Sequence, residues 1–185
     1  MSGQLTFNQH PAFRDYGRTR HGGDLRKGQR KLWRPFDPRR PLHLTLRSER
    51  AKGHWSLLDC KNERRIRHLV YRFAEKNRVR IHKYANSGNH LHLLVQSKDQ
   101  EAFQRFLKTI SGLIARAVTG ARKGKPAGKF WDSLAWTRVV NWGRDFRRVL
   151  DYVLMNEMEA AEVWRREWSG PEAVARHHAT PRRRP

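Results

Sequence analysis

The chain has 185 residues, 37% of them hydrophobic, and a formal net charge of +23 at pH 7. The length suits one domain with tails, and the apolar fraction suits one modest core. A charge that large points to a polyanionic partner, since every neutralised phosphate releases condensed counterions. Cys60 is the single cysteine, which excludes a disulfide framework or a cysteine-based zinc site. No apolar run approaches the roughly 18 residues of a membrane span, and MSGQLTFNQH lacks the apolar centre of a signal peptide. The expectation is a soluble intracellular protein without a membrane partner.

Residues 1–39 read as a basic N-terminal arm. Gly, Arg and Lys dominate GRTRHGGDLRKGQRKLWRPFDPRR, and its scattered apolar residues follow neither helix nor strand period. Disorder or wrapping around a partner is expected there, and residues 169–185 read as a similar tail. The domain between them, 40–168, is orderly. Leu42, Leu44 and Leu46 alternate with His43, Thr45 and Arg47, a half-buried strand. Ile66, Leu69, Val70 and Phe73 mark the apolar stripe of a helix over 62–77. A strand at 79–85 leads through the turn Asn86-Ser87-Gly88-Asn89 to another at 89–96. The helix at 100–118 has the strongest stripe, with Gly120 as its stop. A basic loop, ARKGKPAGK, precedes a strand at 134–140 and a helix from 144 to 156 or as far as 168. The order β-α-β-β-α-β-α fits an α+β, ferredoxin-like antiparallel sheet with helices on one face. The other face is then open to a ligand.

The segment GNHLHLLV, 88–95, places chemistry on that face. Strand side chains alternate, so Leu91, Leu93 and Val95 point into the core while His90 and His92 point away. Rings about 7 Å apart at the backbone can share a metal ion. By itself, His-x-His on a strand is more often plain polar surface. In the last helix, Tyr152 and Asn156 are one turn apart and border its apolar stripe. A tyrosine is a phenolic nucleophile, and an asparagine amide oxygen is a hard ligand for Mg²⁺ or Mn²⁺. A helix tyrosine usually just packs its ring and wets its hydroxyl.

NHLHLLV followed some 60 residues later by YVLMN resembles the single-tyrosine HUH transposases, and within them the REP-associated tyrosine transposases. PLHLTLRS resembles the family's first strand, and FWDSLAWTRVV the approach to its last. The resemblance covers roughly 40–165. It implies that His90 and His92 are metal ligands, Asn156 the third protein ligand and Tyr152 the nucleophile. It also implies a divalent cation, Mg²⁺ or Mn²⁺, and a single-stranded or hairpin DNA substrate cut through a 5′-phosphotyrosine intermediate. The protein would then be cytoplasmic, and nucleoid-associated when on DNA. Related transposases include homodimers whose tyrosine helix serves the partner's histidines, and monomers acting in cis. The sequence leaves both open. One departure is Glu157, where the family commonly has proline; the helix can therefore continue.

For grip on DNA, Arg64, Arg65, Arg67, Arg138, Arg147 and Arg148 are candidates for a phosphate track, with Lys123, Lys125 and Lys129 on a second basic loop. Trp136, together with Trp131 and Trp142, is a candidate for stacking bases, worth roughly 1–3 kcal/mol per base. Two other readings compete. His43-Leu44-Thr45 is similar to one half of the two-histidine phosphoesterases, but position 92 is His where the second copy needs Thr or Ser. A non-catalytic nucleic-acid-binding relic of the same fold is the second.

Overall fold

The computed structural model describes residues 19–23 and 34–168. Most of the arm and the whole tail lie outside the described residues, as do the side chains of 163–168. The elements are β1 (Arg20–His21), β2 (Leu42–Arg47), α1 (Cys60–Lys76), β3 (Arg80–Asn86), β4 (His90–Gln96), α2 (Gln100–Thr119), β5 (Trp136–Val139) and α3 (Arg144–Trp168). A short 3-10 turn, Gly53–Trp55, precedes α1. The five strands form one antiparallel sheet in the order β1-β5-β2-β4-β3. From β2 to β5 this is the expected ferredoxin-like arrangement.

Local chemistry sets the element ends. Asp59 caps α1 by accepting from the Lys61 amide, and Asp99 caps α2 by accepting from Glu101 and Ala102. α2 stops at Gly120, whose φ of 69° is the left-handed conformation that glycine adopts without steric cost. Leu42, Leu44, Leu46, Leu91, Leu93 and Val95 pack against Ile66, Val70, Phe103, Phe106, Ile110 and Ile114 to form the main core. α1 and α2 thus cover one sheet face, as the stripes predict.

The opposite face is not wholly open. α3 lies across it, and Val149, Val153, Phe146 and Leu150 pack on Ala85, Leu94 and Val140 in a smaller apolar cluster. The strands predicted it only in part. Leu94 shares the histidine face and is fully buried there.

The arm also holds an unpredicted strand. Arg20 and His21 pair with Arg138 and Thr137, extending the sheet beyond β5. Gly22, at φ 86°, passes so close to the sheet that a Cβ would meet the Ala135 carbonyl oxygen at 2.1 Å. Only glycine fits there. Further along, Arg34 donates to the Ala135 carbonyl at 2.8 Å and to Thr137, and the Phe36 ring lies 6.2 Å from Phe103. No helix among the described residues is long and apolar enough to cross a membrane.

Candidate functional site

The site grows from the register of β2 against β4. Thr45 is opposite His92, Arg47 opposite His90 and His43 opposite Leu94. Because side chains alternate, His43, Thr45 and Arg47 share a face with His90 and His92. The rings form a ladder. His90 and His92 are stacked with centroids 5.9 Å apart and an 11° interplanar angle. His43 continues the ladder, 5.6 Å from His92 and tilted by 28°.

α3 brings Tyr152 onto this ladder. Its ring is edge-on to His92 at 5.8 Å and edge-on to His43 at 6.1 Å. One turn on, the Asn156 amide nitrogen donates to the Tyr152 carbonyl oxygen at 2.7 Å. Ser87, in the β3–β4 turn, donates to the Asn156 carbonyl at 3.3 Å. Lys83 of β3 meets Glu157 at 2.7 Å, which tethers the helix to the sheet edge. Glu157 is thereby turned to Lys83, one residue off the Tyr152–Asn156 face.

The His90 and His92 imidazoles are each held through Nδ1. His90 Nδ1 lies 2.6 Å from Asn89 Oδ1, and His92 Nδ1 lies 3.2 Å from Thr45 Oγ1. An amide oxygen only accepts, so His90 carries its proton on Nδ1. The Asn89 contact leaves His90 Nε2 with its lone pair, whereas the Thr45 hydroxyl, which both donates and accepts, holds the His92 ring in either tautomer. In metal sites generally, a contact to the second ring nitrogen orients a ligating histidine.

Burial keeps the rings neutral. Desolvation pushes His90 down to about 4, helped by the nearby Arg47 charge and opposed by Asp132. Desolvation pushes His92 down to about 3, with His90 adding to the shift. His43 is lowered well below its usual value by complete burial, then by His92 and Arg138. Neutral imidazoles are the ligating form. Burial pushes the Tyr152 phenol up to about 12; a hydrogen bond with the Asn156 side chain acts downward and Glu159 acts upward. Among the described residues no group of three His, Cys, Asp or Glu side chains gathers as a metal set. The candidate donors are two imidazoles and the Asn156 amide oxygen, a mixed nitrogen and oxygen set that suits several divalent ions.

The wider DNA track needs correction. Arg138 is fully buried and forms a two-pronged ion pair with Asp145, at 2.9 and 3.2 Å, so it has no charge to offer a phosphate. Trp136 is only 7% exposed and packs edge-on against His43, which rules it out as an open stacking platform. The face was read as open, but Arg138 is held by the first turn of α3 and Trp136 lies against Gly23 of the arm. Arg64, Arg65 and Arg67 are on α1, across the sheet from the imidazoles, so they do not form one track with the site. Arg67 is also held by Glu63 and lies over the Tyr84 ring. Arg147 and Arg148 are exposed on α3, and Lys123, Lys125 and Lys129 on the loop after α2. Lys129 donates to the Asp132 carbonyl oxygen at 2.6 Å. Trp131 anchors its indole on the Ser111 carbonyl, whereas Trp142 is half exposed.

Three residues lie at the site outside its expected set: Arg47, and His43 and Thr45, which the sequence offered only to the phosphoesterase reading. The signal was present in the alternation of LHLTLR. What was lacking was the strand pairing that sets it beside HLH.

Comparison with known proteins gives the family. The profile described as "Transposase IS200 like" matches residues 43–141, more than half of the chain. The chain belongs to this IS200-like transposase family. The match begins at His43 and ends before α3, so it includes the histidine ladder but not Tyr152. Among solved structures, a REP-associated tyrosine transposase bound to a REP hairpin is similar at 15% identity and a TM-score of 0.56. It covers 71% of this chain and 74% of that one. At that identity the likeness is one of fold. A proposed transposase from Deinococcus radiodurans is similar at 17% identity and a TM-score of 0.43, over 69% of this chain and 98% of that one. No curated protein matches.

Proposed function

We propose that this IS200-like transposase is a metal-dependent single-strand DNA endonuclease and strand transferase, with Tyr152 as nucleophile and His90, His92 and Asn156 as metal ligands. The observation that carries the proposal is the placement of the Tyr152 ring against the His92 ring, on a sheet face where both imidazoles are held through Nδ1. A nucleophile and a ligand set one ring-width apart can address the same phosphate. When bound, a divalent cation supplies Lewis-acid stabilisation of the charge that builds on the phosphate oxygens.

The protein's own part is positional and protonic. Tyr152 Oη attacks phosphorus in line, forming an O–P bond as the bond to the 3′-oxygen breaks. The phenol proton is released and the departing 3′-oxygen ends as a hydroxyl. The phosphodiester energy is retained in the tyrosine ester, so another 3′-hydroxyl can reverse the step without ATP. A phenol pushed up to about 12 is protonated at neutral pH. Deprotonation must therefore accompany attack, and the hydrogen bond with Asn156 favours it. Hairpin DNA is the proposed substrate form, by likeness to the REP-hairpin complex. Arg47, Arg147 and Arg148 are proposed to steady the strand near the site, with the Lys123–Lys129 loop further out. Exchange of α3 between two copies is a second arrangement compatible with the same ligand set.

The polarity of cleavage tests this reading. A hairpin strand labelled at its 3′ end is expected to become protein-linked, and the same strand labelled at its 5′ end to be released free. The opposite pattern would contradict a 5′-phosphotyrosine, and release of both labels would indicate hydrolysis by water.

A further inference from the structure

At the end of the sheet away from His90, a cleft of about 950 Å³ opens between the end of α1, the start of β3, the end of β4 and the start of α2. Lys76, Arg78, Arg80, Lys98 and Arg105 line it, against one acid, Asp99. Asp99 is already engaged in capping α2. Among the described residues, Arg105 alone of the five cations is in an ion pair, at 3.5 Å from both Asp99 and Glu101.

Helix dipoles do not explain this cluster. The C-terminus of α1 favours the charges of Lys76 and Arg78, but Arg80 is on a strand. Lys98 directly precedes the Asp99 cap, at the positive end of α2, where a cation is disfavoured. Arg78 has φ 53°, the left-handed slot after a helix that glycine normally fills. The backbone accepts a steric cost to put an arginine there.

The cleft lies at the ends of α1 and α2, and Arg80 and Gln96, paired between β3 and β4 on the histidine face, form its border toward the α3 side. Gln96, in its lining, contacts His82 at 3.4 Å. His82 is the extra residue of an irregularity in β3, and its ring is edge-on to both Trp142 and Phe146. Trp142 is 49% exposed and tilted against Phe146 with centroids 4.9 Å apart. From Phe146, α3 climbs ~9 Å to Tyr152. From Gln96 back to His90 is ~20 Å along β4, about six stacked nucleotides of one strand.

We propose that this cleft is a second phosphate-binding site, which holds the DNA strand flanking the scissile position while an unpaired base stacks on Trp142. The inference rests on the single-strand nuclease reading above and adds where the flanking strand runs.

Fluorescence anisotropy of labelled dT30 over a salt series tests it. The proteins compared are the wild-type chain, Arg80→Gln/Lys98→Gln, and Arg64→Gln/Arg65→Gln as a charge-matched pair on α1. The cleft pair is expected to lose about tenfold in affinity and to flatten the log–log salt slope by about 1.4, two contacts at about 0.7 each. The α1 pair should do neither, and Trp142→Ala should weaken binding roughly tenfold with the slope unchanged. An unchanged slope in the cleft pair, or an equal loss in the α1 pair, would overturn the cleft and leave the tyrosine chemistry standing. Absence of wild-type binding to dT30 would also overturn it. The end-label experiment then decides the nuclease reading separately.

Discussion

The Tyr152 ring stands at 90° to the His92 ring, with centroids 5.8 Å apart. These residues come from α3 and β4, sixty positions apart, and the contact exists because α3 crosses the histidine face of the sheet. His43 stacks on His92 and meets Tyr152 edge-on, so three rings define one corner of the site.

That corner gives His43 a testable role. It is fully buried and neutral, and no apolar residue of its size would reproduce its ring contacts with His92 and Tyr152. His43→Leu is expected to slow cleavage by ~10- to 100-fold while hairpin affinity changes less than threefold, the scale of an outer-shell defect. Single-turnover rates set beside anisotropy titrations separate the two. An equal loss in both would mean that the substitution disrupts the whole face.

Thr45 acts one step further out. Its hydroxyl is 3.2 Å from His92 Nδ1 and holds the ring's orientation. Thr45→Val keeps the shape and removes the contact. Mn²⁺ affinity, read by paramagnetic resonance of the free ion, is expected to fall by roughly 10- to 100-fold. An unchanged affinity would show that His92 needs no such anchor.

The Arg138–Asp145 pair ties β5 to the first turn of α3. Asp145 also accepts from the Asn141 amide at 2.8 Å, and so steadies the entry to the helix. Asp145→Ala strands a fully buried guanidinium, which typically costs about 3–5 kcal/mol. Urea unfolding measures it. A loss below about 1 kcal/mol would mean that Arg138 finds water or another acceptor.

Acid sensitivity follows from the buried imidazoles. His43, His90 and His92 all have folded-state values below the usual 6.5. Below that pH the unfolded chain binds more protons than the folded one. The stability from keeping these rings neutral is therefore complete above about pH 6.5 and is lost as pH falls toward 4 and 3. In EDTA, the urea midpoint is expected to drop steadily from pH 7 to pH 4, and less steeply in His92→Leu. A midpoint equal at pH 7 and pH 4.5 would contradict neutral burial.

The sequence disclosed the parts of this site that obey a local period. Alternation put His90 and His92 on one face, and helical spacing put Tyr152 beside Asn156. It did not disclose which strand lies next to which. His43 and Thr45 belong to the site only through the β2–β4 register, a contact across 47 positions. Arg138 and Trp136 looked like surface because their face was taken as open; α3 covers the first, and the second lies against His43 and Gly23. The β1 strand was invisible for another reason. Two residues held by main-chain bonds to β5, with Val139 donating to the Thr19 carbonyl at 3.1 Å, leave no side-chain pattern.

The central claim is that Tyr152 attacks DNA at a histidine-held metal. Covalent trapping tests it most directly. The purified chain is mixed with labelled hairpin DNA and Mn²⁺ and run on a denaturing gel beside Tyr152→Phe and His92→Ala. The account predicts a metal-dependent adduct in the wild type that disappears in both variants, while Tyr152→Phe still binds the hairpin. Salt-sensitive binding with no adduct in any protein, or an adduct that persists in Tyr152→Phe, would contradict it.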